Sequence, residues 1–196
     1  MCEKGYYSFN IEPWLMDALK EWATIVTALE NGEQTVILRK GGILETESGF
    51  KIEAKKFFLF PTFEHQEEKN LKPQFHNYLD IVKQNRPQNE HNKITSYAEV
   101  VDEVDIISKE KINALSQFHI WSESYIDERV NWMSEKPIKT VFLKVYKIPE
   151  MKIPIKSEYH GCKSWININE DIQTGKPVLS EEELNSRLQK FKEIVN

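Results

Sequence analysis

Residues 11–42 read IEPWLMDALKEWATIVTALENGEQTVILRKGG. Ile11, Leu15, Leu19, Trp22, Val26 and Leu29 recur at spacings of four and three, the stripe that one face of an α-helix presents to a core, so the spacing predicts a helix over 12–30. Pro13 suits its first turn, and Asn31-Gly32 supplies the left-handed stop. Val36, Ile37 and Leu38 leave no polar face, so Thr35 to Arg39 reads as a short buried strand, and Gly41-Gly42 as a turn.

Working outward, Phe50, Ile52 and Ala54 alternate with Lys51, Glu53 and Lys55, which predicts a half-exposed strand. Phe57 to Phe60 extends or follows it, and Pro61, which lacks a ladder donor, is expected to end it. Residues 64–92 are polar and rich in Gln and Asn, a loop with one helix near Phe75 to Val82. Ile94 to Ile107 is β-branched and predicts a strand. Ser108 caps a short helix, and a further helix is expected over Tyr125 to Trp132. Val141, Leu143 and Val145 alternate with Phe142, Lys144 and Tyr146 in the best strand of the second half. Ser164 to Ile168 is another strand. Ser180 with three glutamates opens a C-terminal helix carrying Leu184, Leu188, Phe191 and Val195 on one face.

This order lacks the regular βα alternation of a doubly wound sheet. It predicts an α+β fold: a curved, mainly antiparallel sheet or small barrel flanked by helices, as one domain over 1–196. The 196 residues, 40% hydrophobic and 11% aromatic, suffice for a core. The apolar runs are too short to cross a bilayer and the N-terminus has no signal-peptide pattern, so the expected setting is cytoplasmic, with no membrane contact. Two cysteines, Cys2 and Cys162, give neither a disulfide framework nor a structural zinc site, and no metal or other cofactor is expected.

The net charge of −5 conceals segregation along the chain. Residues 136–163 hold seven lysines against Glu150 and Glu158, whereas residues 99–135 hold nine acids against Lys109, Lys111 and Arg129. The basic block suggests a polyanionic partner, the acidic block a protein partner, and two independently solvated faces would explain both.

Four segments carry a resemblance: Ala18-Leu19-Lys20-Glu21-Trp22, Leu38-Arg39-Lys40-Gly41-Gly42, Phe60-Pro61-Thr62-Phe63-Glu64-His65-Gln66 and Tyr159-His160-Gly161-Cys162-Lys163-Ser164-Trp165. Together they resemble an uncharacterised prokaryotic domain-of-unknown-function family (DUF1802), for which no activity can be carried over. Where an arginine is expected before the valine of the late strand, this chain has Lys144, which keeps the charge but not the guanidinium fork. A helix ending at Gly32 followed by a strand closing on Arg39 is also similar to the opening of ASCH and PUA-like barrels, which implies association with RNA or modified nucleic acid. Gln34 and Ile37 depart from that pattern, which commonly has a lysine and an acid there.

Several constellations could carry chemistry. Arg39-Lys40-Gly41-Gly42 could form a phosphate-binding corner, glycine amides and cations meeting an anion, or a tight turn with a solvated basic pair. Glu53-Ala54-Lys55 matches the E-x-K element of metal-dependent nucleases, which needs a second carboxylate, Glu45 or Glu47, or is a solvated strand face. His65 beside Glu64 is a candidate general base or a cap. His160 and Cys162 could pair thiol with imidazole, although a buried cysteine beside a turn is the plainer reading. Phe142, Lys144 and Tyr146, with Lys147 and Trp165, interleave aromatics and cations as single-strand binders do, or form a core layer under a helix. The best function is a nucleic-acid-binding module, RNA foremost, with a metal-dependent phosphodiesterase or a non-catalytic protein-interaction module as alternatives.

Overall fold

The computed structural model describes residues 16–41, 49–87 and 90–196. One sheet holds β1 (Met16–Trp22), β2 (Val36–Arg39), β3 (Lys56–Thr62), β4 (His91–Ile106), β5 (Ile138–Pro154), β6 (Trp165–Ile168) and β7 (Lys176–Pro177). The helices are α1 (Ala23–Glu30), α2 (Asn77–Gln84), α3 (Lys109–Ala114), α4 (Glu123–Asn131) and α5 (Glu181–Val195). The strand order is β2-β5-β4-β3-β1-β6, with β7 on β5. Among the described residues β1 and β3 run parallel and the other pairs are antiparallel. The fold is the α+β arrangement that the element order predicts.

The sheet is curled. β2 and β6 stand at opposite ends of the strand order, yet Arg39 at the end of β2 donates from Nη2 to Ser164 Oγ, just before β6, at 2.7 Å. No backbone ladder joins these two edges among the described residues, so the barrel stays open and a side chain spans the gap.

Successive residues of the central strands point to opposite cores, as a pleat requires. Phe57 and Leu59 enter the larger core with Ile25, Leu29, Phe142 and Phe191. Phe58 and Phe60 enter a smaller one with Ala18, Ile94, Tyr159 and Ile168. The predicted helix over 12–30 is corrected here: Met16–Trp22 is a strand and the helix begins at Ala23. Ala18 and Leu19 are adjacent, both fully buried, and belong to different cores, so β1 is covered on both faces and shows no polar alternation to betray it. Ile11, Pro13 and Leu15 lie outside the described residues. At the helix start, Thr24 N–H donates to Gln66 Oε1 at 2.9 Å, so the orphan amide is capped from a distant loop. The stop at Gly32, with φ of 73°, is as expected.

Residues 50–55 show the predicted alternation of burial but no strand ladder; Lys55 C=O accepts from Val100 N–H at 2.9 Å. β3 runs through Pro61 to Thr62 instead of ending there. Its pairing with β4 reaches only Phe58, and the Pro61 carbonyl accepts from Asn92 Nδ2 at 2.8 Å. Ser108, Ser122 and Ser180 cap α3, α4 and α5, the last with a full capping box.

The two charge blocks do not become separate faces. β4 and β5 are antiparallel neighbours, with Glu99 opposite Lys144 and Asp105 opposite Lys139. Asp105 pairs with Lys139 at 2.9 Å, Glu99 with Lys56 at 3.3 Å and Glu103 with Lys55 at 3.2 Å. Much of the acidic block is thus neutralised within the chain.

His119 is 3% exposed and neither ring nitrogen has a partner among the described residues. Burial, aided by the Lys72 ammonium that donates to the His119 carbonyl, lowers its pKa from 6.5 to about 3. Between those values the unfolded chain binds the extra proton, so this contribution to stability is intact above pH 6.5 and is lost as pH falls. Urea titrations should show stability falling with acidification by up to about 1.4 kcal/mol per pH unit from this residue. His119→Leu should flatten that dependence, and an unchanged slope would contradict the assignment.

Candidate functional site: a basic cleft

The chain ends of β1, β2 and β3 and the turn before β6 surround a cleft of about 640 Å³. Its walls are Lys20–Trp22, Arg39–Gly41, Phe60–His65 and Tyr159–Ser164, joined by side chains including Arg86, His91 and Arg129. Among the described residues six cations, Lys20, Arg39, Lys40, Arg86, Arg129 and Lys163, face two carboxylates, Glu21 and Glu64.

Arg39 is held from three sides. Nη1 donates to Glu21 Oε2 at 3.1 Å, Nη2 to Ser164 Oγ, and the guanidinium lies 5.0 Å from the Phe50 ring centroid. Glu21 Oε1 in turn accepts from Trp22 N–H at 2.9 Å. Lys20 Nζ donates to the carbonyls of Tyr159 at 2.8 Å and Gly161 at 2.7 Å, tying β1 to the turn before β6. Its pKa is lowered by burial, with Cys162 and Glu64 opposing the shift. Lys40 is buried, and its ammonium donates to the carbonyls of Arg129 and Val130 in the last turn of α4, so it serves as a helix C-terminal cap. Burial lowers its pKa too.

Arg39, Lys40, Gly41 and His65 therefore converge, as does the segment 159–164; Gly42 lies outside the described residues. His65 is exposed with φ of 59°, a left-handed conformation for a non-glycine residue, and Glu64 pairs with Arg86 at 3.0 Å. Cys162 is exposed, which corrects the expectation of a buried thiol beside the turn. Gly41, with φ of 86°, holds a left-handed conformation that a side chain would strain, and an added Cβ would stand a tight 3.1 Å from Phe50 N.

Other candidates lie outside this cleft. Glu53 and Lys55 are exposed on the segment before β3; Lys55 pairs with Glu103, while Glu45 and Glu47 are outside the described residues. No group of three or more potential metal ligands occurs among the described residues. Lys144 pairs with Glu181 at the start of α5, and that hydrogen bond raises its pKa. Tyr146 stacks on Tyr97, with centroids 4.7 Å apart, and donates to Glu99 at 3.0 Å. Phe142 is buried against Phe191 of α5, and Trp165 is buried with its Nε1 donating to Lys51 C=O. Lys147 is exposed on β5 and takes no part in the cleft. The face read as interleaved aromatics and cations is thus largely consumed by packing and pairing. Sequence reasoning assigned no role to Lys20, Glu21 or Arg129 and counted Lys163 only within the basic block, although Lys20, Glu21 and Lys163 lie in the segments that carry the family resemblance.

Fold and site together define an α+β domain with a curled mixed sheet and a basic cleft at its open seam. The chain belongs to the family described as Domain of unknown function (DUF1802), whose model matches residues 18–190. All four segments that carried the resemblance contribute to the cleft walls. Solved structures similar to the chain include ASCH from Zymomonas mobilis, at 14% identity, covering 88% of this chain and 93% of that one with a TM-score of 0.42. Two point mutants of the same protein match at 13% and 14% identity, each over 88% of this chain and 94% and 96% of theirs, with TM-scores of 0.40 and 0.39. A comparison with the curated proteins gives no match.

Glu21→Ala leaves the Arg39 guanidinium unpaired at a site only partly open to water. Urea unfolding should show a loss of about 3 kcal/mol. A loss below about 0.5 kcal/mol would mean that the pair does not hold the seam.

Proposed function

We propose that the cleft is a non-catalytic binding site for nucleic acid, RNA foremost. The observation that carries this reading is the excess of cations around the cavity in a chain whose net charge is −5. A pocket of about 640 Å³ lies within the roughly 300–1,000 Å³ range of ligand sites, enough for a nucleotide or two. Phosphates require cations and bases require apolar or aromatic walls, and Trp22, Phe60, Phe63 and Tyr159 supply the latter. The resemblance of the chain's opening to ASCH and PUA-like barrels makes RNA the first choice, as an analogy of fold. Metal-dependent hydrolysis by Glu53 and Lys55 would have to proceed outside this cleft, and no feature of the fold favours it.

Arg39 to Gly41 contribute to the site by shaping it, with the Arg39 charge partly answered by Glu21; Lys163 and Arg129 are the cations expected to meet phosphate. Titration of a fluorescent single-stranded RNA should show affinity falling steeply with salt, by a slope of roughly −0.7 per phosphate neutralised. Lys163→Glu should weaken binding across sequences, and charge reversal of Lys144 and Lys147 should leave it unchanged. Absence of binding at low salt would end this reading.

A further inference from the structure

A second cavity, about 330 Å³, adjoins the cleft, and Arg39 lines both. Its other walls include Phe50, Lys51, Asp105, Lys136 and Lys139. The junction is close: Gly41 belongs to the cleft, Gly49 to the groove, and an added Cβ on Gly41 would stand 3.2 Å from Gly49 C. Among the described residues four cations here face one carboxylate, the same sign of excess as in the cleft.

Lys139 is matched by Asp105 at 2.9 Å. Lys51 and Lys136 have no ion-pair partner among the described residues. Phe50 lies buried beneath the groove, its ring stacked on Trp165 with planes 11° apart and covered by Arg39, so it holds Arg39 in place and does not stack on a ligand. The Lys51 backbone is fixed by the hydrogen bond from Trp165 Nε1 at 2.9 Å.

We propose that the groove continues the binding path of the cleft, so that the ligand is a single-stranded nucleic acid of several nucleotides running past Arg39 onto Lys51 and Lys136. This rests on the reading of the cleft as a nucleic-acid site. Two neighbouring cavities that share Arg39 offer a flexible strand two cationic stretches, whereas an isolated mononucleotide would use one of them. Cations along a groove that contact successive phosphates hold a single strand without reading its sequence. Arg39 stands where the path crosses from one cavity to the other, its guanidinium fixed by Glu21 and Ser164.

The test compares fluorescent oligouridylates from a dinucleotide to a dodecamer, at several salt concentrations, on the full chain. Affinity should rise with length beyond the dinucleotide. Lys51→Glu and Lys136→Glu should make the dodecamer's salt slope shallower by roughly 0.7 for each lysine while dinucleotide affinity stays as in the parent protein. Asp105→Asn, which removes the groove's carboxylate and releases Lys139, should strengthen dodecamer binding. A dodecamer that binds no more tightly than a dinucleotide, or a double lysine variant with the parent's slope, overturns the path and leaves the cleft reading standing. Failure of both oligonucleotides to bind at low salt overturns the cleft reading, and the path with it.

Discussion

Arg39 bridges the two ends of the strand order, β2 and β6, which no backbone ladder joins among the described residues. Its guanidinium connects β2 to β1 through Glu21 and to the entrance of β6 through Ser164. Arginine suits this place because one planar fork can serve two acceptors while its face covers an aromatic ring. Glu21 is fixed in turn by the Trp22 amide, so carboxylate and guanidinium are both oriented before any ligand arrives. Opening the seam would separate the walls of the cleft, which are drawn from both sides of it.

Around this seam most of the cations are structurally engaged. Lys20 closes a turn by donating to two carbonyls, Lys40 caps α4, and Arg86 answers Glu64. Among the described residues the cleft still has an excess of positive charge, because peptide carbonyls neutralise no net charge and two carboxylates face six cations. The field in the cleft is therefore partly a by-product of how the fold is tied together, and a ligand anion would meet donors whose positions are already set. Such preorganisation reduces the ordering cost of binding.

The opposite outcome holds for β4 and β5. In sequence their charges form two blocks that suggest a basic surface and an acidic one. In the sheet the antiparallel pairing lays one block along the other, and the ion pairs of Asp105, Glu99 and Glu103 remove much of the contrast. Lys144, the most suggestive cation of the late strand, meets Glu181 at the start of α5, an acid placed there by the same first-turn preference that makes the helix legible.

The sequence by itself determined the local elements whose signals are short-range: the Gly32 stop, the caps at Ser108 and Ser180, the C-terminal amphipathic helix, strand character from Ile94 and from Val141 to Tyr146, and the α+β class. Those signals depend on backbone conformation and on one buried face, both written within a few residues. It did not distinguish β1 from a helix, because a strand buried on both faces loses its alternation, and Leu19 and Trp22 of β1 with Val26 of α1, spaced three and four apart, then match the helical period. Nor did it show which charges survive as a surface. That was decided by the tertiary structure alone, since pairing between Asp105 and Lys139, or convergence of Lys20, Arg39, His65 and Lys163, depends on contacts between residues tens of positions apart, whose registers only the curled sheet sets.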